Sequence, residues 1–125
     1  MKKGYWVCIY EKIYSEEKLK EYAIKSKLAV EKFSGKFLVR GGKNRKNDGI
    51  NSPRVVVVEF PNFNSAIDCY DSTEYQEAHD ILEKYAKRFS TFSEHKSIQP
   101  TTPFMNLFSK ADFNKNSVSF SDWAA

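Results

Sequence analysis

Two charges interrupt the most apolar stretches of this chain. Arg40 ends Lys36-Phe37-Leu38-Val39-Arg40 and precedes Gly41-Gly42, and Glu59 lies near the end of Arg54-Val55-Val56-Val57-Val58-Glu59-Phe60. A charge on an apolar strand is either at the rim in water or paired inside, because burying it alone is strongly unfavourable. Arg40 and Glu59 are therefore a structural pair, two solvated rim charges, or a working pair. In the last case Arg40 anchors a small carboxylate or enolate through its bidentate fork, while Glu59 orients it or takes a proton. His79 is the natural general base if it faces inward, and a surface or capping residue if it does not. Trp6, Tyr22, Tyr70 and Tyr75 are mostly core by type, though a tyrosine lining a pocket lends its hydroxyl to a ligand. These seven residues are the ligand-binding candidates, and no catalytic residue is assigned. His79 and His95 lack metal-ligand spacing, so no metal is expected. No GxSxG surrounds Ser15, Ser72 or Ser90, no GxxxxGK[ST] is present, and no cofactor is expected.

The elements that must position these groups follow from periodicity. Gly4 to Ile13 alternates Tyr5, Val7 and Ile9 with Trp6, Cys8 and Tyr10, a strand with two apolar faces. Ser15 offers an N-cap, Glu16 and Glu17 suit a first helical turn, and Leu19, Tyr22, Ala23, Ser26, Ala29, Val30 and Phe33 recur at helical spacing up to a stop at Gly35. Lys36–Arg40 and Arg54–Phe60 read as an antiparallel hairpin across a polar loop. Asn62 or Asn64 caps a short helix, and Asp71 or Ser72 restarts it, with Asp71 and Glu74 at capping-box spacing. The restarted helix carries Tyr75, Ala78, Leu82, Tyr85 and Phe89 inward, and Ser90 to Ile98 is a weak edge strand.

The order β-α-β-β-α-β predicts an α+β fold of the ferredoxin-like type, a four-stranded antiparallel sheet with its helices on one face. The other face is apolar, and closing it against a second copy predicts a homodimer. Residues 1–99 form this domain. Residues 100–125, with Phe104, Phe108, Phe113, Phe120 and Trp123, are expected to be an arm docking on its own or the partner subunit.

At 125 residues the chain is one domain with a core of its own. Cys8 and Cys69 have apolar or aromatic neighbours and no CxxC spacing, the usage of a reducing cytoplasm. The apolar run after Met1-Lys2-Lys3 lacks a cleavage site and no run reaches membrane-spanning length, so no export signal and no membrane partner are expected. The formal charge is +4, unevenly spread: residues 1–48 hold 13 basic and 6 acidic side chains. This excess lies on a helix face and one loop, without the basic-aromatic platform of a nucleic-acid binder, so no nucleic-acid partner is expected and a small anionic metabolite is.

Four blocks carry a family resemblance: Lys3-Gly4-Tyr5-Trp6; Gly35-Lys36-Phe37-Leu38-Val39-Arg40-Gly41-Gly42; Arg54 to Pro61; and Ala66 to Gln76. In this order they resemble the domain-of-unknown-function 1330 family (DUF1330) over about residues 3–98. The resemblance implies a dimeric α+β barrel and no particular reaction. Family members place an Arg about seven residues after the Tyr of the EYQ block, where this chain has Leu82, so an anion-holding charge must come from elsewhere or be lost. The expected function is small-molecule binding by a homodimer; the alternative is a cofactor-independent isomerase or monooxygenase acting on a small enolisable compound.

Overall fold

The computed structural model describes residues 2–96, so the arm expected at 100–125 lies outside the described residues. The elements run β1 (Gly4–Ile13), α1 (Glu16–Lys32), β2 (Lys36–Arg40), β3 (Val55–Phe60), α2 (Phe63–Asp71), α3 (Thr73–Leu82), a 3-10 turn (Glu83–Tyr85) and β4 (Ala86–Glu94). The strands form one antiparallel sheet in the order β2-β3-β1-β4, with the helices packed on one face. This is the α+β, ferredoxin-like arrangement the element order predicts.

Capping explains where the helices begin. The Ser15 hydroxyl accepts from the Lys18 amide, and the Asn62 side chain accepts from the Ser65 amide. Ser72 serves two helices at once: its hydroxyl donates to the Cys69 carbonyl at 2.6 Å and accepts from the Tyr75 amide at 3.2 Å. Its extended backbone separates α2 from α3. Because Ser72 is the cap and Asp71 the last residue of α2, the Asp71–Glu74 capping box is not formed. At the end of α1 the left-handed residue is Ser34, at φ 62°. Gly35 is needed for room instead: a Cβ there would lie 2.6 Å from Val30 Cγ1 and 2.8 Å from the Phe60 ring.

The core lies between the helices and the face of the sheet that carries Trp6, Cys8, Tyr10, Val58 and Phe60. Leu19, Tyr22, Ala29 and Val30 meet it from α1, and Ala66, Cys69, Tyr75, Ala78 and Leu82 from α2 and α3. Burying a side chain such as Leu82 contributes roughly 2 kcal/mol. The opposite face has no covering element among the described residues. There Val55, Ile9 and Phe89 form one cross-strand row, with Ile9 36% and Phe89 54% exposed.

The last strand departs from expectation. It starts at Ala86, four residues before the Ser90 start read from the sequence, so Tyr85 is in the 3-10 turn and Phe89 in β4 on the open face. Neither continues α3.

Candidate functional site

A cavity of about 30 Å³, room for roughly two waters, opens between α1 and the sheet. Its floor is Trp6, Cys8 and Tyr10 of β1 with Val56 and Val58 of β3; Tyr22, Ala23, Ser26 and Val30 of α1 roof it. Three arginines, Arg40, Arg54 and Arg88, complete the lining, which among the described residues contains no aspartate, glutamate, histidine or lysine.

Each arginine arrives by a different local device. In β2 the register shifts between Phe37 and Val39, leaving Leu38 as an extra residue. Strict alternation would put Phe37 and Arg40 on opposite faces, and the extra residue puts them on the same one. Arg40 consequently stacks 4.3 Å over the Phe37 ring and donates from Nη2 to the Ala23 carbonyl of α1 at 2.7 Å. Arg54 and Arg88 flank Tyr10: the Tyr10 amide donates to the Arg54 carbonyl at 2.9 Å, and Arg88 is the β4 register partner of Tyr10.

Arg88 is held by phenols rather than by a carboxylate. Its Nη1 donates to the Tyr10 hydroxyl at 3.0 Å and its Nη2 to the Tyr75 hydroxyl at 3.3 Å. The guanidinium lies 4.6 Å over the Tyr22 ring, and the Tyr22 and Tyr75 hydroxyls share a hydrogen bond of 2.8 Å. Among the described residues no arginine has a carboxylate within salt-bridge distance. The Nε of Arg54 is buried with no hydrogen-bond partner.

Burial keeps the nearby acids protonated. Desolvation pushes the Tyr10 phenol up to about 12, against the opposing pull of Arg88. It raises Tyr75 further, with Tyr22 adding to the rise, and it raises the Cys8 thiol despite Arg88 and Arg54. For Arg88 burial works against the charge, but the phenol oxygens of Tyr22, Tyr75 and Tyr10 outweigh it and its pKa is raised. At neutral pH the lining thus offers cations and hydrogen-bond donors, and no group that takes a proton. Such a surface binds an anion or stabilises developing negative charge.

The sequence candidates divide accordingly. Arg40, Trp6 and Tyr22 line the cavity, and Tyr75 reaches its edge through the hydroxyl network. Tyr70 lies behind it, packed against Trp6, Tyr75 and Phe92. Glu59 is on the other face of the sheet, accepting from the Tyr5 hydroxyl at 3.1 Å, so Arg40 and Glu59 do not meet. His79 lies on α3 against the Tyr70 and Tyr75 rings, outside the cavity lining. With Asp80 and Glu83 it offers three ligand atoms within 4.8 Å of one another, on a helix end where both acids are exposed.

Tyr10, Arg54 and Arg88 were not among those candidates. Alternation already placed Tyr10 on the face of Trp6 and Cys8, and the same period along Arg54, Val56, Val58 and Phe60 pointed Arg54 inward. Arg88 was hidden by extending the preceding helix through Phe89.

A family model described as a domain of unknown function (DUF1330) matches residues 3–94. No curated protein matches the chain. A crystal structure of a Rhodopseudomonas palustris protein of unknown function is similar at a TM-score of 0.58 and 16% identity, covering 78% of this chain and 84% of that one. A protein from Jannaschia sp. CCS1, described as dimeric, ferredoxin-like and of unknown function, is similar at 0.56 and 10% identity, covering 74% of this chain and 99% of that one. Likeness at these identities is likeness of fold. No helix among the described residues is long and apolar enough to cross a membrane.

Proposed function

The chain belongs to the DUF1330 family, and from that premise we propose that it is a homodimeric binding protein for a small anionic metabolite held between α1 and the sheet. One observation carries this reading: Arg40, Arg54 and Arg88 line a single cavity that no carboxylate among the described residues shares. Three cations gathered without a counter-charge repel one another, and an anion relieves that repulsion. Leu82, at the position where family members carry an Arg, is fully buried in the core, and on this reading the charge comes instead from the arginines of the cavity.

The binding reading is preferred to cofactor-independent isomerase or monooxygenase chemistry because the described residues of the lining include no carboxylate or imidazole to accept a proton. Support for the dimer comes from the uncovered row of Val55, Ile9 and Phe89 and from the dimeric Jannaschia protein of the same fold. The reduced pair Cys8 and Cys69 supports a cytoplasmic setting.

The test is a calorimetric titration of the full chain with small carboxylates at low and high salt. Saturable binding that weakens as salt rises is expected. Absence of binding to any small carboxylate overturns the reading.

A further inference from the structure

Arg54 carries a feature that neither Arg40 nor Arg88 shares. Among the described residues its guanidinium makes no hydrogen bond, and its Nε is closed off from solvent, whereas Arg40 is committed to the Ala23 carbonyl and Arg88 to two phenols. An uncommitted guanidinium lining a cavity is satisfied when a ligand supplies the acceptors. We propose that Arg54 is the specificity-determining residue of the cavity, gripping one planar carboxylate through its two Nη atoms, and that Gly41 leaves the room this guanidinium needs.

The Gly41 half of the inference follows from space as well as handedness. Gly41 lies at φ 73°, a left-handed conformation that favours glycine. A Cβ built there would lie 2.9 Å from Arg54 Nη1. Any side chain at position 41 therefore pushes the fork away from its present line. The Gly41 amide meanwhile donates to the Val55 carbonyl at 2.9 Å, tying this turn to the residue next to Arg54. Gly41 thus acts on the arginine that precedes the facing strand, whereas Gly42 has no atom within reach of a Cβ.

Size and shape choose the ligand class. The cavity's 30 Å³ admits a carboxylate group. The two Nη atoms of a guanidinium match the two coplanar oxygens of a carboxylate. Across Tyr10 from Arg54, Arg88 turns its guanidinium to the Tyr10 phenol, and that hydroxyl, accepting from Arg88, keeps its own proton for the ligand. Trp6, Phe37, Val56 and Val58 provide an apolar wall for the remainder of a short-chain acid.

This inference rests on the anion-binding reading, and the experiment separates the two. Wild type, Arg54→Lys, Gly41→Ala and, as a control outside the lining, Arg45→Lys are titrated with acetate, pyruvate and inorganic phosphate by calorimetry and ligand-observed NMR, after thermal melts confirm folding. Arg54→Lys keeps the charge and loses the fork. Acetate and pyruvate binding should weaken at least tenfold in Arg54→Lys and several-fold in Gly41→Ala, and by less than threefold in Arg45→Lys. If wild type binds neither acid, the anion-binding reading itself fails. If wild type binds them and Arg54→Lys binds as tightly, or if phosphate binds wild type better than either acid, the assignment to Arg54 and a planar carboxylate is overturned while the broader reading stands. If Gly41→Ala binds like wild type, the role given to Gly41 falls.

Discussion

Arg88 of β4 and Tyr10 of β1 are register partners whose side chains meet at 3.0 Å on the helix-facing side of the sheet, a cation held by a neutral phenol. Most partly buried arginines answer to a carboxylate, and here the compensation comes from aromatic faces and hydroxyls. The arrangement leaves the positive charge without a carboxylate partner among the described residues.

Replacing these arginines should hardly harm the fold. Arg54→Met removes a buried donor that has no acceptor, so stability should rise by about 1 kcal/mol. Arg88→Met takes a donor from Tyr10 and Tyr75 but also removes an uncompensated charge, and the net change should stay within about 1.5 kcal/mol. Urea unfolding of the ligand-free proteins measures both. A loss of more than 3 kcal/mol in either would show that the arginine is structural.

Alkaline pH should unfold the protein through its phenols. Burial pushes the Tyr10 phenol up to about 12 in the fold, from the ordinary tyrosine value of about 10, and displaces Tyr75 in the same direction. Above pH 10 the unfolded chain releases these protons while the folded chain keeps them. Stability therefore falls by about 1.4 kcal/mol per pH unit per such tyrosine across this window. Cys69, pushed up to about 12 by burial, adds to the fall from pH 9 upward. Urea midpoints should drop between pH 8 and pH 11, with a shallower drop in Tyr10→Phe; midpoints independent of pH would contradict the burial of these groups.

Gly4 should tolerate no side chain. A Cβ there would lie 2.6 Å from the Asn62 carbonyl oxygen and from Phe63 Cα, both backbone atoms at the start of α2. Because neither can swing aside, Gly4→Ala should cost at least about 2 kcal/mol, in the range of overpacked cores. Thermal unfolding checks this, and a melting temperature within a degree of wild type would refute it.

The open sheet face should set the oligomeric state. Ile9→Lys places a charge in the centre of the row formed with Val55 and Phe89. Light scattering should give twice the 14.5 kDa chain mass for wild type and the single chain mass for the variant. A wild-type monomer at micromolar concentration would remove the dimer from the proposal.

Much of this fold is written locally. The alternation in β1, the Ser15 cap and the apolar run of β3 specify their elements from neighbouring residues alone. The site is less legible, for two physical reasons. Arg40 faces α1 only because of the extra residue at Leu38, and a bulge has no compositional mark in this strand. Arg88 lies in a segment whose polar residues, Lys87, Ser90 and Thr91, resemble a helix surface as readily as an edge strand. That segment becomes β4 because Trp6, Cys8 and Tyr10 across the sheet supply its hydrogen-bonding partners and its burial.

The strand order also fixes when the cavity can exist during synthesis. Gly4 pairs with Phe60 on one side and Glu94 on the other, so β1, one of the two inner strands, is made before both of its neighbours and waits for them. Loop closure of that span is slow relative to forming α1, and until then β1 presents an unpaired edge. Arg88 belongs to β4, the last of the described elements to be made. On the anion-binding reading, the ligand has no complete site until β4 has paired, and then bridges strands made more than seventy residues apart.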